Sequence, residues 1–167
     1  PAAPAAAVVE AAVTAATGAV RVAEAGRRVA EHAAEMAPHT GHRIRVASGS
    51  LGQGLSVALG AAQVKTLNGE DTWVYSLHGD GELQEGQIWE AAMYAAHHKL
   101  DNLISFVDYN GQQIDGAVED VMSLGDLAAK WGAFGWTVLE CNGHDLGDLD
   151  RIFKEARAAA GQNGPVV

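Results

Sequence analysis

Apolar positions along this chain change period, from short runs that are apolar at nearly every step to longer stretches in which they recur every third or fourth residue. Residues 72–77 (Thr72-Trp73-Val74-Tyr75-Ser76-Leu77) form a β-branched and aromatic run that closes on His78-Gly79-Asp80-Gly81, and residues 103–107 (Leu103-Ile104-Ser105-Phe106-Val107) form a second that closes on Asp108-Tyr109-Asn110. Both read as buried strands opening into turns. The spacing predicts a helix over 50–67 with Leu51, Leu55, Ala58, Leu59 and Ala62 inward, and another over 84–99 with Ile88, Ala91, Ala92 and Ala95 inward. Further on it predicts a helix from a Ser123 cap to about Phe134, a strand over 136–140 and a helix over 149–160. Pro165-Val166-Val167 begins a strand at which the chain stops, so the domain is expected to be truncated there. Strand–helix alternation at this spacing argues for an α/β fold, a doubly wound parallel sheet with helices on both faces, over residues 41–167.

Residues 1–40 read differently. They hold 16 alanines and no aromatic side chain, so they predict an Ala-rich helical extension over 5–37, broken near Thr17-Gly18 and ended by Pro38. In its second piece Val22, Gly26, Val29, Ala33 and Met36 share one face, and Arg21, Glu24, Arg27, Arg28, Glu31 and Glu35 take the other. A stripe of alanine and valine buries little area. The bias also admits an engineered or shortened segment.

Composition narrows the function. With 48% hydrophobic and 19% charged residues the chain is a folded domain, and its net charge of −10 argues against nucleic acid and anionic lipid as partners. An acidic protein that holds a polyanionic ligand must supply local positive charge, from a metal or from helix N-termini. Cys141, the one cysteine, permits no internal disulfide and fits a reducing, cytoplasmic setting. At the predicted strand end it reads as a small packed thiol, not a nucleophile. No stretch has the ~18 consecutive apolar residues of a membrane span, and the start lacks the basic n-region of a signal peptide.

The candidate chemistry lies at the two strand ends. If both strands are parallel neighbours, Asp80 and Asn110 emerge together at the carboxyl edge of the sheet, where open α/β sheets bind ligands. A carboxylate and an amide oxygen beside glycines suit Mg²⁺ or Ca²⁺, with a third oxygen from a main-chain carbonyl in the Gly111-Gln112-Gln113 turn. The competing reading is a dinucleotide turn with Asp108 as the ribose-binding acid, but its third glycine comes two places late, at Gly86. Without a metal, Asp80 also repels a diphosphate: two unit charges ~4 Å apart cost about 4 kcal/mol at an effective dielectric of about 20. Glu82 and Glu85 add to that repulsion. The metal-bridged reading wins.

The motif Gly79-Asp80-Gly81, followed about 30 residues later by Asn110, resembles the thiamine-diphosphate signature. The strings from Ser48 to Leu55, from Gly81 to Gly86 with Trp89-Glu90-Ala91, and from Asn110 to Gly116 resemble transketolase, and more narrowly the separate N-terminal subunit of split bacterial transketolases. The resemblance runs from about Val46 to Val167. It implies that Asp80, Asn110 and the Gln112 carbonyl bind Mg²⁺ or Ca²⁺, and that the diphosphate lies against Gly79 and the Gly81 amide. Gly49 and Leu51 would line the aminopyrimidine, and Ile114 would pack near the thiazolium. Glu85 falls where the family has an acid at the subunit interface. His42 echoes a family Gly-His-Pro element, with Arg43 in place of the proline. The implied reaction moves a two-carbon ketol unit between sugar phosphates. In this family a glutamate from another domain triggers ionisation of the cofactor. A pyrimidine-binding partner subunit is therefore expected, in a homo- or hetero-oligomer. The alternative is a trimmed or engineered non-catalytic domain of the same fold. His78, His97 and His98 read as structural or solvated, and His144 as a loop residue capping the next helix.

Overall fold

Four parallel strands form the centre of the computed structural model, which describes residues 10–14, 43–162 and 164–167. Strands β1 (Glu10–Thr14), β2 (Arg43–Ser48), β3 (Val74–Gly79) and β4 (Leu103–Asp108) lie in the order β2-β1-β3-β4. Val166 bridges in parallel to Ile104 and to Thr137, and the amide of Leu139 reaches the Val167 carbonyl, so the chain end adds itself beside β4 and the 137–139 segment lies beyond it. Two short strands, β5 (Gln112–Gln113) and β6 (Gly116–Ala117), form an antiparallel hairpin after β4.

Alternation within the strands sends side chains to two cores. Val74 and Leu103 join the larger cluster, under helices α1 (Gln53–Leu67), α2 (Gly86–His97) and α4 (Leu127–Ala133). Tyr75 and Ile104, one step along, join the smaller one with Phe153 and Ala156 of α5 (Leu146–Ala159). Helices therefore cover both faces of a parallel sheet, as the strand–helix alternation predicts. The inward residues of α2, Ile88, Ala91, Ala92 and Ala95, are all buried. On α1, Leu55, Ala58 and Ala62 are buried while Leu59 is half-buried. Among the described residues, no helix is long and apolar enough to cross a membrane.

Several expectations are corrected. Glu10–Thr14 is a strand between β2 and β3, not part of a helix. Alanine's helix preference is a few tenths of a kcal/mol per residue, and a backbone laddered on both sides, with β-branched Val13 and Thr14 at its end, outweighs it. The other residues of the expected helix, with the Val22 to Met36 face, lie outside the described residues. Strand β2 escaped the sequence reading. Its arginines alternate with Ile44 and Val46, a short signal beside Pro38. Ser123 does not start a helix: it ends the short α3 (Val118–Met122), its hydroxyl accepting from the Gly125 amide, and Asp126 caps α4 by accepting from the Ala129 amide. The segment 136–140 is extended but bridges its neighbour at Thr137 alone. Helix α5 begins earlier than expected, at Leu146, because the Asp145 carboxylate accepts from the amides of Gly147 and Asp148. Cys141 is exposed rather than packed, and partial burial, then the charge of Asp148, holds its thiol above the ordinary value.

Trp131, 1% exposed, locks α4 to the larger core through ring contacts of 4.8 Å to Trp136 and 5.2 Å to Trp89. Trp131→Ala is expected to cost about 3–5 kcal/mol of unfolding free energy, read as a fall in the urea midpoint.

Candidate functional site

The carboxyl ends of β3 and β4 are in register, Gly79 opposite Asp108. One residue past the pair, the Asp80 amide donates to the Asp108 carbonyl at 3.2 Å. The chain then turns into a 3₁₀ helix (Gly81–Gln84) with Asp80 as its cap. The Asp80 carboxylate is fully buried. Oδ1 accepts from the Gly81 amide at 2.9 Å and Oδ2 from the Gly111 amide at 2.6 Å. The turn after β3 is thereby tied to the turn after β4. Burial, first of all, holds the Asp80 carboxyl above its ordinary value, and the charge of Asp108 pushes the same way against the lowering effect of the two amides. Among the described residues this carboxylate has no counter-charge, which is the setting a bound cation would relieve.

Asn110 is exposed beside it, its Oδ1 accepting from the Gln112 amide at 2.9 Å and its Nδ2 reaching Asp108 Oδ2 at 3.3 Å. A small cleft of about 40 Å³ gathers Leu51, Gly79, Gly81, Asn110, Gln112 and Ile114, with Glu82 and Gln113 between them. All six of the former were named from sequence as cofactor or metal contacts. Gly49 is exposed in the loop before Leu51 and does not line the cleft, and Glu85 is an exposed cap of α2, also off the cleft. His42 lies outside the described residues. His78 is buried, His97 and His98 are exposed, with His98 against Tyr94 and His97 against His98, and His144 is exposed while Asp145 does the capping.

Glu82 and Gln113 were missed as cleft residues. Sequence alone makes Glu82 a source of repulsion, yet it is 2% exposed and its Oε1 accepts from the Gly52 amide at 2.8 Å. Burial beside glycines on both strand ends was the available signal. Gln113 Nε2 is buried with no hydrogen-bond partner among the described residues, a spare donor at the mouth of the site. A larger apolar cavity of about 400 Å³, bordered by Phe106, Trp131, Leu139 and Val167, contains none of the named cofactor or metal residues.

These residues fit an anionic cofactor held through a cation. The donor set is all oxygen: the Asp80 carboxylate, the Asn110 amide and the Gln112 carbonyl, which suits a hard ion. Among the described residues no group of three His, Cys, Asp or Glu side chains could hold a metal, so a cation here would need amide and main-chain oxygens beside the Asp80 carboxylate. The approach at Gly81 is also close, since a Cβ there would fall 2.7 Å from Gln113 Cβ and 3.7 Å from the Gln112 carbonyl oxygen.

The family model described as "Transketolase, thiamine diphosphate binding domain" matches residues 24–166. The chain belongs to the transketolase family. The match begins ahead of Val46, where the motifs become legible. Among curated relatives, the chain is 44% identical over 119 residues to the 6-deoxy-6-sulfo-D-fructose transketolase subunit of Clostridium sp. (strain MSTE9), covering 71% of this chain and 43% of that protein. It is 48% identical over 111 residues to an apulose-4-phosphate transketolase subunit of Phocaeicola vulgatus, covering 66% of this chain and 40% of that protein. The chain thus spans about two fifths of the length of these relatives. Among solved structures, transketolase from Campylobacter jejuni aligns at TM-score 0.64 and 33% identity, over 71% of this chain and 20% of that one.

In this transketolase domain, Gly81→Ala is expected to push the Gln112-Gln113 hairpin away from Asp80. Thiamine diphosphate affinity should fall at least about tenfold, the equivalent of one lost charge-assisted hydrogen bond, with little change in thermal midpoint. Calorimetric titration beside a melting curve checks both.

Proposed function

We propose that this chain is the diphosphate-binding half of a transketolase, holding thiamine diphosphate through Mg²⁺ (Ca²⁺ would serve) and needing a pyrimidine-binding partner to be active. The observation that carries the reading is the buried Asp80 carboxylate, joined at 2.6 Å to the amide of Gly111, the residue between Asn110 and Gln112, both of which line the cleft. Bound thiamine diphosphate supplies the electron sink through which a two-carbon ketol unit passes between sugar phosphates.

The chain's own residues do the holding. Asp80, Asn110 and the Gln112 carbonyl take the cation, and Gly79 and Gly81 let the backbone approach the diphosphate with no Cβ in the way. Leu51 and Ile114 give an apolar wall, and Gly49 stands in the same loop as Leu51. Ile114 is 66% exposed, so that wall is open on one side, as an edge awaiting a second subunit would be. Two relatives are themselves named as subunits, which supports a separate partner and an oligomeric enzyme. No described residue is proposed as the ionising acid; Glu85, exposed at the start of α2, is assigned to the contact with that partner.

The full protein, mixed with its partner, should bind thiamine diphosphate in Mg²⁺ and release it on chelation. Asp80→Ala should lower that affinity by about a hundredfold or more, in line with loss of a charged metal ligand, and abolish ketol transfer. Unchanged affinity in the variant sinks the assignment, and absence of binding by the native protein makes the chain a non-catalytic relative.

A further inference from the structure

One peptide group beside the cleft is held at both of its polar ends by side chains from a single short stretch. The Gly52 N–H donates to Glu82 Oε1 at 2.8 Å. The Leu51 C=O, the other end of the same planar unit, accepts from Gln87 Nε2 at 3.0 Å. Because the unit is rigid, one hydrogen bond on each end fixes its rotation about the chain, and with it the direction in which Leu51 leaves the backbone. Gly52 has a φ of +81°, and a Cβ on it would fall 2.7 Å from Gln87 Nε2 and 2.9 Å from Glu85 Cβ. The loop is therefore seated directly on the segment that follows Asp80. Glu82 Oε1 also lies 3.3 Å from Nδ1 of the buried His78, a close approach without a hydrogen bond.

We propose that Glu82 and Gln87 are positioning residues that clamp the Leu51–Gly52 peptide, and so set the aminopyrimidine wall relative to the metal turn at Asp80. The clamp rests on the cofactor reading above and deepens it. It divides the work on the cofactor between two parts of one segment: Asp80 and Gly81 address the charged tail, while Glu82 and Gln87 address the ring indirectly, through Leu51. A diphosphate without the rings needs the first part and not the second.

That division is the basis of the test. The full protein with its partner is titrated, in saturating Mg²⁺, with thiamine diphosphate and separately with inorganic pyrophosphate. Gln87→Ala should weaken thiamine diphosphate about tenfold, as loss of one orienting hydrogen bond does, and leave pyrophosphate within about twofold. Gln87→Glu, which turns the donor into an acceptor facing the Leu51 carbonyl, should be at least as weak. Glu82→Ala should act in the same direction, and Glu82→Gln, which keeps an acceptor oxygen for the Gly52 amide, should recover most of the affinity. The pair Glu82→Ala with Gln87→Ala should be less than additive, since both hold one peptide. Hydrogen exchange at the Gly52 amide in the cofactor-free protein should quicken in Gln87→Ala. If Glu82→Ala does not fold, the half-buried Gln87 variants decide the matter. Asp80→Ala separates the two failures: it should lose both probes, and retention of both overturns the cofactor reading itself. Loss of both probes in Asp80→Ala, with thiamine diphosphate unchanged or both probes weakened equally in the Gln87 variants, overturns the clamp alone.

Discussion

A buried carboxylate with no cationic partner among the described residues is the constraint around which this domain is arranged. Asp80 is fully buried at the end of a central strand, and its two oxygens each accept one backbone N–H, one from its own turn and one from the turn after the next strand. Two amides satisfy much of the hydrogen-bonding capacity of a carboxylate but not its charge. Burial raises its proton affinity, and the nearby Asp108 raises it further. A fold that needed only a turn at this point would place Asn or Ser there at lower cost. The acid is retained at a position where a cation would complete it.

The rest of the architecture places that acid. The β3–β4 register sets Gly79 opposite Asp108, so the residues that follow must meet at one edge. Core packing under α1, α2 and α4 holds the strands at that register, and the Ser76–Ser105 hydroxyl pair at 2.9 Å adds a polar lock between the same two strands. A slip of one residue would send Val74 and Leu103 to the opposite core and carry the Gly111 amide away from Asp80. Site geometry and hydrophobic sorting are in this sense the same specification.

Much of this was legible in the sequence because the signals were local. Asp80 and Asn110 follow two strong strand patterns, and glycines mark where the backbone must turn. Those patterns put Asp80 and Asn110 at one sheet edge, and the resemblance to transketolase added Leu51, Gly79, Gly81, Gln112 and Ile114, which share a cleft with Asn110. What escaped was decided by partners distant in sequence. Glu10–Thr14 carries no strand signal beyond Val13 and Thr14, and its conformation comes from two neighbours that pair with it from either side. The same holds for Glu82: a glutamate in a polar turn is expected to face water, and only the Gly52 amide, thirty residues upstream, explains why it does not. The 136–140 segment shows the converse failure, a clear β pattern with an incomplete ladder.

An open site has a consequence for the order of events. The cleft among the described residues, at about 40 Å³, is far below the roughly 300–1,000 Å³ typical of a small-molecule pocket, and Ile114, which lines it, stands 66% exposed. On the proposed reading, this chain grips the charged tail of the cofactor while a partner covers the ring and brings the ionising carboxylate. Covering Ile114 and supplying the acid then become one event, because the same surface does both. Reactivity would appear only in the assembled enzyme, where water is excluded, and the tail alone would be held beforehand. The separation of metal turn from ring wall within residues 80–87 is the form such a two-step assembly takes in a single segment.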